Sequence, residues 1–311
     1  MKTPSIVVLG SVNIDLVIRA PLLPAPGETV LGGQFYQSAG GKGANQAVAA
    51  ARLSREAVAL IAAIGNDDFG KQSLDGLRRE KIQLDYVKTV ADHATGVALI
   101  MVDHDGENCI CVASGANHAV TPDDVDALPD ILFARAKVFL ACLESPLDTV
   151  ARGLERAKAA GLITILNPAP MMRKLASHSM LQNVDILTPN ESEAEALCGM
   201  NVEQPAAVIQ AAESIRALGC PLLVITRGSR GSMVFDENVT DLAATSVKAV
   251  DATAAGDAFN GALAVAVAEG RSLAPAARWS TIAAGISVTR RGAQPSLPTR
   301  EEVDGFPNPP K

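Results

Sequence analysis

Val138-Phe139-Leu140-Ala141 and Ile163-Thr164-Ile165-Leu166 are short apolar runs joined by an Ala-rich helical segment. Runs of the same kind lie at 5–9, 58–64, 185–188 and 222–226, again separated by Ala-rich helical stretches. Wholly apolar runs suit parallel strands buried on both faces, and the alternation with helices is the rhythm of a covered parallel sheet. An α/β fold is therefore predicted. Two regions, 16–36 and 95–113, break the rhythm because they are strand-rich with no helix between the strands. They are read as antiparallel pieces of a separate small sheet. Asp105-Gly106, between alternating runs, is a hairpin turn signal. Such a sheet can cover a site as a lid.

At 311 residues the chain sits near the size where a single core stops growing. Its 48% hydrophobic and 20% charged composition indicates a globular protein. A formal charge of -7 without a local Lys/Arg cluster argues against nucleic-acid and anionic-membrane partners. Phosphates remain possible ligands, since backbone amides and a metal ion hold them without a basic protein. The apolar stretch 6–9 is too short for a signal segment, and no run approaches the ~20 residues of a membrane span. A cytoplasmic protein is expected. Its five cysteines include no CxxC pair and read as reduced thiols. Cys109 and Cys111 would share a strand face, but two ligands make a poor metal site. Only the tail, 306–310, is Pro-rich enough to be irregular.

The strongest local signal is Asp251-Ala252-Thr253-Ala254-Ala255-Gly256-Asp257-Ala258-Phe259-Asn260-Gly261, which runs into an apolar helical stretch. Small residues followed by Gly-Asp at a helix start gather free N–H groups and the positive helix end at one point. Asp257, in the first turn, is placed to take a proton from a hydroxyl while amides stabilise charge on a transferred phosphoryl group. An isolated Gly-Asp before a helix is more often a simple cap, and spacing alone leaves both readings open.

Gly40-Gly41-Lys42-Gly43-Ala44-Asn45-Gln46 opens another helix. Its glycines permit close approach to a ligand, and Lys42 and Asn45 offer donors to sugar hydroxyls; a plain Gly-rich turn is the alternative. It matches neither a dinucleotide fingerprint nor a P-loop. Gly65-Asn66-Asp67-Asp68-Phe69-Gly70-Lys71-Gln72 imitates P-loop spacing, but Gln72 lacks the hydroxyl and the two aspartates would repel phosphate, so helix capping is favoured. Asn13-Ile14-Asp15 follows the first strand, where open α/β sheets bind ligands, and Asp15 can accept from two neighbouring hydroxyls; turn chemistry is the other reading. Thr188-Pro189-Asn190-Glu191-Ser192-Glu193 brings Asn190 and Glu193 to one helical face, as magnesium-water partners or as a cap. Thr226-Arg227-Gly228-Ser229-Arg230-Gly231 is either a nucleotide-approaching loop or a hairpin turn.

These residues resemble the ribokinase family of sugar kinases across nearly the whole chain. The most specific elements are 40–47 and 251–261, supported by Asn13-Ile14-Asp15, Leu143-Glu144-Ser145-Pro146, Asn167-Pro168-Ala169-Pro170 and Gly292-Ala293-Gln294-Pro295-Ser296. The resemblance implies a Rossmann-like parallel-sheet sandwich formed by 1–14, 38–92 and 118–311. The β-sheet lid would be 15–37 and 93–117, often paired between two subunits as a clasp. It implies ATP-dependent phosphorylation of a pentose 5-hydroxyl, ribose first among the sugars. A kinase for deoxyribose, another pentose or a ketohexose, and a non-catalytic sugar-sensing protein, are the alternatives.

By the same resemblance Asn13, Asp15, Gly41, Lys42, Gly43, Asn45 and Glu144 would hold the sugar, and Asp257 would activate it. Ala254, Ala255 and Gly256 would form an anion hole. ATP would meet Asn190, Thr226, Arg227, Gly228, Ser229, Arg230, Gly231, Gly256 and Thr281, with Asn190 and Glu193 bearing on magnesium. A potassium ion would lie near Asp251, Thr253, Ser287, Arg290, Gly292 and Ser296, held mostly through backbone oxygens. Two departures from the family pattern are Thr281, where a His near the adenine is common, and Ser114 before Gly115-Ala116-Asn117. They bear on nucleotide affinity and on the sugar.

Overall fold

The computed structural model describes residues 3–172 and 174–307; the tail positions Asn308, Pro309 and Pro310 lie outside the described residues. The parallel heart of the large sheet is β1 (Ile6–Leu9), β4 (Val58–Gly65), β5 (Val87–Val90), β8 (Val138–Cys142), β9 (Ile163–Asn167), β10 (Ile186–Leu187) and β11 (Leu222–Thr226). An antiparallel edge, β12 (Ser232–Phe235) and β13 (Val239–Leu242), completes it. The order is β13-β12-β11-β10-β9-β8-β1-β4-β5. The six apolar runs of the sequence all fall on parallel strands. The edge hairpin and β5 carry too few apolar residues to announce themselves.

Side-chain alternation along β1 splits the core in two. Ile6 and Val8 face one layer, with α1 (Lys42–Leu53), α8 (Ala255–Ala268) and α9 (Leu273–Ser287). Val7 and Leu9 face the other, with α3 (Pro122–Asp126), α4 (Asp130–Arg135), α5 (Leu147–Ala159), α6 (Glu191–Cys198) and α7 (Pro205–Arg216). Helices α2 (Asp68–Arg79) and α10 (Arg300–Asp304) add Leu77 and Val303 to the first layer. Helices on both faces of a mostly parallel sheet make this a doubly covered α/β fold. No helix among the described residues is long and apolar enough to cross a membrane.

The small sheet has the order β3-β2-β6-β7, from β2 (Asn13–Arg19), β3 (Gln34–Gly40), β6 (Gly96–Val102) and β7 (Asn108–Ala113). Both expected antiparallel pieces form, β2 with β3 and β6 with β7, and they join at the centre of the sheet, where β2 and β6 run parallel. The reason is topological. Each hairpin leaves the main sheet with one strand and returns with the other, and the two outgoing strands lie side by side. The turn expected at Asp105-Gly106 joins β6 to β7, with Gly106 at φ 88.

The P-loop imitation resolves as a cap. Asp67 accepts the Gly70 N–H at 2.8 Å, and its carboxylate also accepts the N–H and hydroxyl of Thr95 at the base of β6. Cys109 and Cys111 are exposed on β7, and the five cysteines are free thiols. Among the described residues no cluster of three or more His, Cys, Asp or Glu could hold a metal.

Candidate active site

Strands β1, β8, β9, β10 and β11 are parallel, so their carboxyl ends share one edge, where open α/β sheets bind ligands. A cleft of about 220 Å³ opens there, lined by Lys42, Asn190, Glu193, Thr226, Gly256 and Asp257 among others.

Helix α8 presents its N-terminus to this cleft. Ala254, its N-cap, is held at φ 60, a left-handed conformation that costs a non-Gly residue energy and recurs where function demands it. The Ala255 N–H is taken by the Ala252 carbonyl at 3.2 Å, whereas those of Gly256 and Asp257 have no acceptor among the described residues. Among the described residues the N–H of Ala254 is free as well, so of the amides expected to form the anion hole only that of Ala255 is taken. The free amides stand at the positive end of the helix.

Asp257 is 6% exposed and does not cap its own helix. Its carboxylate turns to α1, where Asn45 Nδ2 donates to Oδ2 at 2.9 Å and Gln46 Nε2 to Oδ1 at 3.1 Å. Burial pushes its pKa up against the pull of Lys42 and the two amides, with Glu144 adding to the rise. For Lys42, burial pulls the pKa down, but the Asp257 and Glu144 carboxylates outweigh it and the ammonium is retained.

Gly41 starts α1 at φ 88, and a Cβ there would lie 2.6 Å from the Asn13 amide, so only glycine fits. Glu144 Oε2 accepts the Lys42 N–H at 2.9 Å and the Ser11 hydroxyl, which fastens the loop after β8 to the start of α1. Gly43 is buried against the backbone of Gly10. The lid supplies Asn13, whose Oδ1 accepts from Asn117 Nδ2 at 2.7 Å. It also supplies Asp15, beside Gly40, where a Cβ would lie 2.3 Å from the Asp15 carboxylate. No donor among the described residues reaches that carboxylate. Burial, then the charges of Glu144 and Asp257, push its pKa up to about 6 against the pull of Lys42.

At the start of α6 the capping arrangement forms in full. Asn190 Oδ1 accepts the Glu193 N–H and Glu193 Oε2 the Asn190 N–H, both at 2.8 Å. Both residues also line the cleft. Burial raises the Glu193 pKa although Asn190 and Lys42 oppose it. The 226–231 segment is a hairpin turn joining β11 to β12. Gly231, at φ 86, is required by the closeness of β13, since a Cβ would lie 1.9 Å from the Leu242 carbonyl. Arg227 is spent on the Asp241 carboxylate and the Arg230 carbonyl, and Arg230 on Glu191 and the Glu203 carbonyl. Gly228 faces open space, Ser229 is exposed, and the Thr281 hydroxyl donates to Ala277 within α9.

Asp251 joins two loops: Oδ1 accepts the Thr253 N–H and hydroxyl, and Oδ2 the Gly292 N–H at 2.9 Å. Burial raises its pKa, but these bonds together win and lower it. The hydroxyls of Ser287 and Ser296 donate to the Ala284 and Ala293 carbonyls, and Arg290 pairs with Glu302. Gln46, Asn167, Thr188 and Asn260 also belong to the site, joined by side-chain hydrogen bonds. All four stand inside quoted motifs, but a motif does not say which amide meets which oxygen. Ser11 carries no local signal, and Asn117 stands out only as the end of Gly115-Ala116-Asn117.

The family description "pfkB family carbohydrate kinase" matches residues 3–300. A ribokinase of Haemophilus influenzae is 40% identical over 97% of this chain and 98% of its own length. A ribokinase of Schizosaccharomyces pombe is 38% identical over 97% of each. The structure of Arabidopsis thaliana ribokinase complexed with ribose and ATP superposes with a TM-score of 0.87 at 32% identity, covering 97% of this chain and 98% of that one. A buried carboxylate beside free helix amides accords with this full-length similarity, and the chain belongs to the pfkB family of carbohydrate kinases, within its ribokinase branch.

Proposed function

We propose that this kinase transfers the γ-phosphoryl group of ATP to the 5-hydroxyl of D-ribose. The observation that carries the reading is the pairing of a buried and a half-buried carboxylate with different surroundings. Asp257 is gripped by amides beside the free N–H groups of Gly256 and Asp257. Asp15 lacks any donor among the described residues and lies ready for a vicinal diol. Asp257 accepts the proton of the 5-hydroxyl as it attacks in line, and the helix amides stabilise charge on the transferred group. Lys42 balances the carboxylates, and Asn13, Gly41, Gly43, Asn45 and Glu144 frame the sugar. Segments 15–37 and 93–117 act as the lid that excludes water.

Magnesium fits the residues present, because Glu193 offers a buried carboxylate in the cleft and this ion is usually completed by phosphates and water. Glu193, with Asn190, would hold it; when bound it neutralises phosphate charge. Potassium fits the loops that Asp251 ties together. Backbone oxygens of these loops would supply most of its ligands, and the Ser287 and Ser296 hydroxyls, which donate to the Ala284 and Ala293 carbonyls, keep oxygen lone pairs. ATP would lie along Asn190, Thr226–Gly231 and Thr281. Pairing of two lids would cover exposed Phe35 (63%), Leu99 (54%) and Ile110 (54%), giving a homodimer. Free thiols suit a reducing cytoplasm.

The test is ATP-to-ADP conversion with magnesium and potassium across ribose, 2-deoxyribose, arabinose, xylose, fructose and ribonucleosides, with the phosphorylated position identified. Ribose-dependent formation of the 5-phosphate is expected. Turnover confined to another sugar overturns the specificity, and binding without turnover overturns the catalytic reading. Asp257→Asn should lower turnover at least roughly 10²-fold with ATP binding retained.

A further inference from the structure

We propose that Gln46 is a positioning residue for this reaction, its side-chain amide holding the Asp257 carboxylate in the orientation that receives the sugar proton. The inference rests on the reading of Asp257 as the base. Gln46 is 0% exposed. Its Nε2 carries two hydrogens and has two acceptors, Asp257 Oδ1 at 3.1 Å and Asn167 Oδ1 at 3.0 Å. Asn167 is itself oriented, because its Nδ2 donates to the Thr188 carbonyl at 3.3 Å. A flipped Gln46 amide would set its oxygen against a carboxylate and a carbonyl oxygen, so the network fixes the assignment.

That arrangement leaves Gln46 Oε1 buried without a hydrogen-bond partner. An unsatisfied buried carbonyl is unfavourable, and a residue that merely filled this space would be apolar. What an apolar residue cannot supply is the pair of N–H bonds. The side chain has no room to withdraw, because α1 and α8 meet backbone to backbone: a Cβ on Gly261 would lie 2.8 Å from the Gln46 carbonyl oxygen. The same network reaches the helix amides. The Thr188 hydroxyl donates to Asn260 Oδ1 at 2.6 Å, and Asn260 Nδ2 to the Gly256 carbonyl at 2.8 Å. Base and anion hole are thus held by one chain of bonds running through Gln46, Asn167, Thr188 and Asn260.

The charged and titratable groups acting on Asp257 are Lys42 from α1, Glu144 after β8, Asp15 from the lid, Glu193 from α6 and the Cys142 thiol. Direct hydrogen bonds to its carboxylate come from Asn45 and Gln46. A donor to a carboxylate favours the ionised form. Its loss adds to the rise that burial causes and moves the acid limb of turnover to higher pH.

The experiment is kcat and KM against pH for Gln46→Met, which removes the amide at similar length, and Gln46→Glu, which sets a charge against Asp257. In Gln46→Met the acid limb of kcat should rise by about one pH unit, with turnover falling to about tenfold lower below the native limb and recovering to within a few-fold at the alkaline plateau. Gln46→Glu should shift it further, and KM for ATP should change less than about twofold in both. A limb that stays in place, or turnover lowered equally at every pH, overturns the proposal. Should Gln46→Met not fold, Asn167→Ala carries the test. It removes the second acceptor and should move the limb in the same direction; an unmoved limb there overturns the proposal equally. Asp257→Asn run alongside separates the two readings. Lost turnover there with an unmoved limb in the Gln46 variants removes the positioning role alone, and near-normal turnover removes the base.

Discussion

Asp15→Asn tests the proposed division of labour between the Asp15 and Asp257 carboxylates most directly. The ionised Asp15 has no donor among the described residues, so on the proposed reading its hydrogen bonds come from the sugar. Charge-assisted bonds contribute about 1.5–3 kcal/mol each. The amide keeps one acceptor oxygen, and a net loss of about 2 kcal/mol lowers kcat/KM for ribose roughly thirtyfold with KM for ATP unchanged. In the native enzyme the Asp15 carboxylate titrates at about 6. At pH 5 only about one-tenth is ionised, so KM for ribose should be about tenfold higher than at pH 8, whereas the variant should show no such rise.

Stability moves the opposite way. A carboxylate whose folded pKa is raised from 3.8 to about 6 destabilises the fold when ionised. The penalty is full above the folded value and vanishes below the unfolded one. At 1.36 kcal/mol per pH unit it is at most about 3 kcal/mol at pH 8, reduced by residual solvent contact. Asp15→Asn should therefore melt roughly 2–4 °C higher than the native protein at pH 8 and no higher at pH 3.5. Initial rates across pH 5–8 and melting curves at the two pH values decide it. A ribose KM within twofold of native, or a KM rise below pH 6 that persists in the variant, refutes the reasoning.

Replacing potassium by sodium should lower turnover several-fold; equal rates in both salts remove the cation from the reading. Gly231→Ala forces a Cβ into the Leu242 carbonyl at φ 86 and should cost at least about 2 kcal/mol in urea unfolding, with a cost under about 0.5 kcal/mol contradicting the close approach. Burial raises the Asp67 pKa, but the bonds from Thr95 and Gly70 together outweigh it and lower the pKa. Its contribution is then full above the ordinary value of 3.8 and fades as pH falls through the folded value, so Asp67→Ala should cost about 1–2 kcal/mol at pH 7 and less at pH 3. The proposed pairing of lids predicts that the native protein sediments as a dimer and Phe35→Lys as a monomer; a dimeric mass in the variant would place the contact elsewhere.

The large sheet was legible because its strands are buried on both faces and read as unbroken apolar runs, as at 58–64 and 138–141. Strand β13 was not, since an edge strand carrying Thr240 and Asp241 has no such run. The parallel centre of the lid follows from where two distant hairpins leave the main sheet, which no local pattern records. In the site, Asp257 was singled out by its place at a helix start, but the feature that distinguishes a base from a cap is which way the carboxylate turns. That depends on Asn45 and Gln46, more than two hundred residues away. Asn190 and Glu193 illustrate the converse: a capping box and a cleft wall are made by the same atoms, so pattern alone had no means of choosing.

The register of the lid has a mechanical side. Asn13 is paired with Gly40 on one side and Gly96 on the other, and Val97, one residue further along, with Ala113, so all four chain crossings to the main domain fall within one residue of a single rung of the ladder. A flap fixed along a single line has one easy motion, rotation about that line. At about 3.3 Å per residue, Asp15 stands roughly 7 Å from the axis and Ile18 roughly 16 Å. A swing of about 30° would carry Asp15 only some 3–4 Å, enough to release a sugar, while moving the apolar tip more than twice as far. Distance labels near Ile18 and near Asp15 should report that ratio; equal displacements would mean that the lid slides instead of turning.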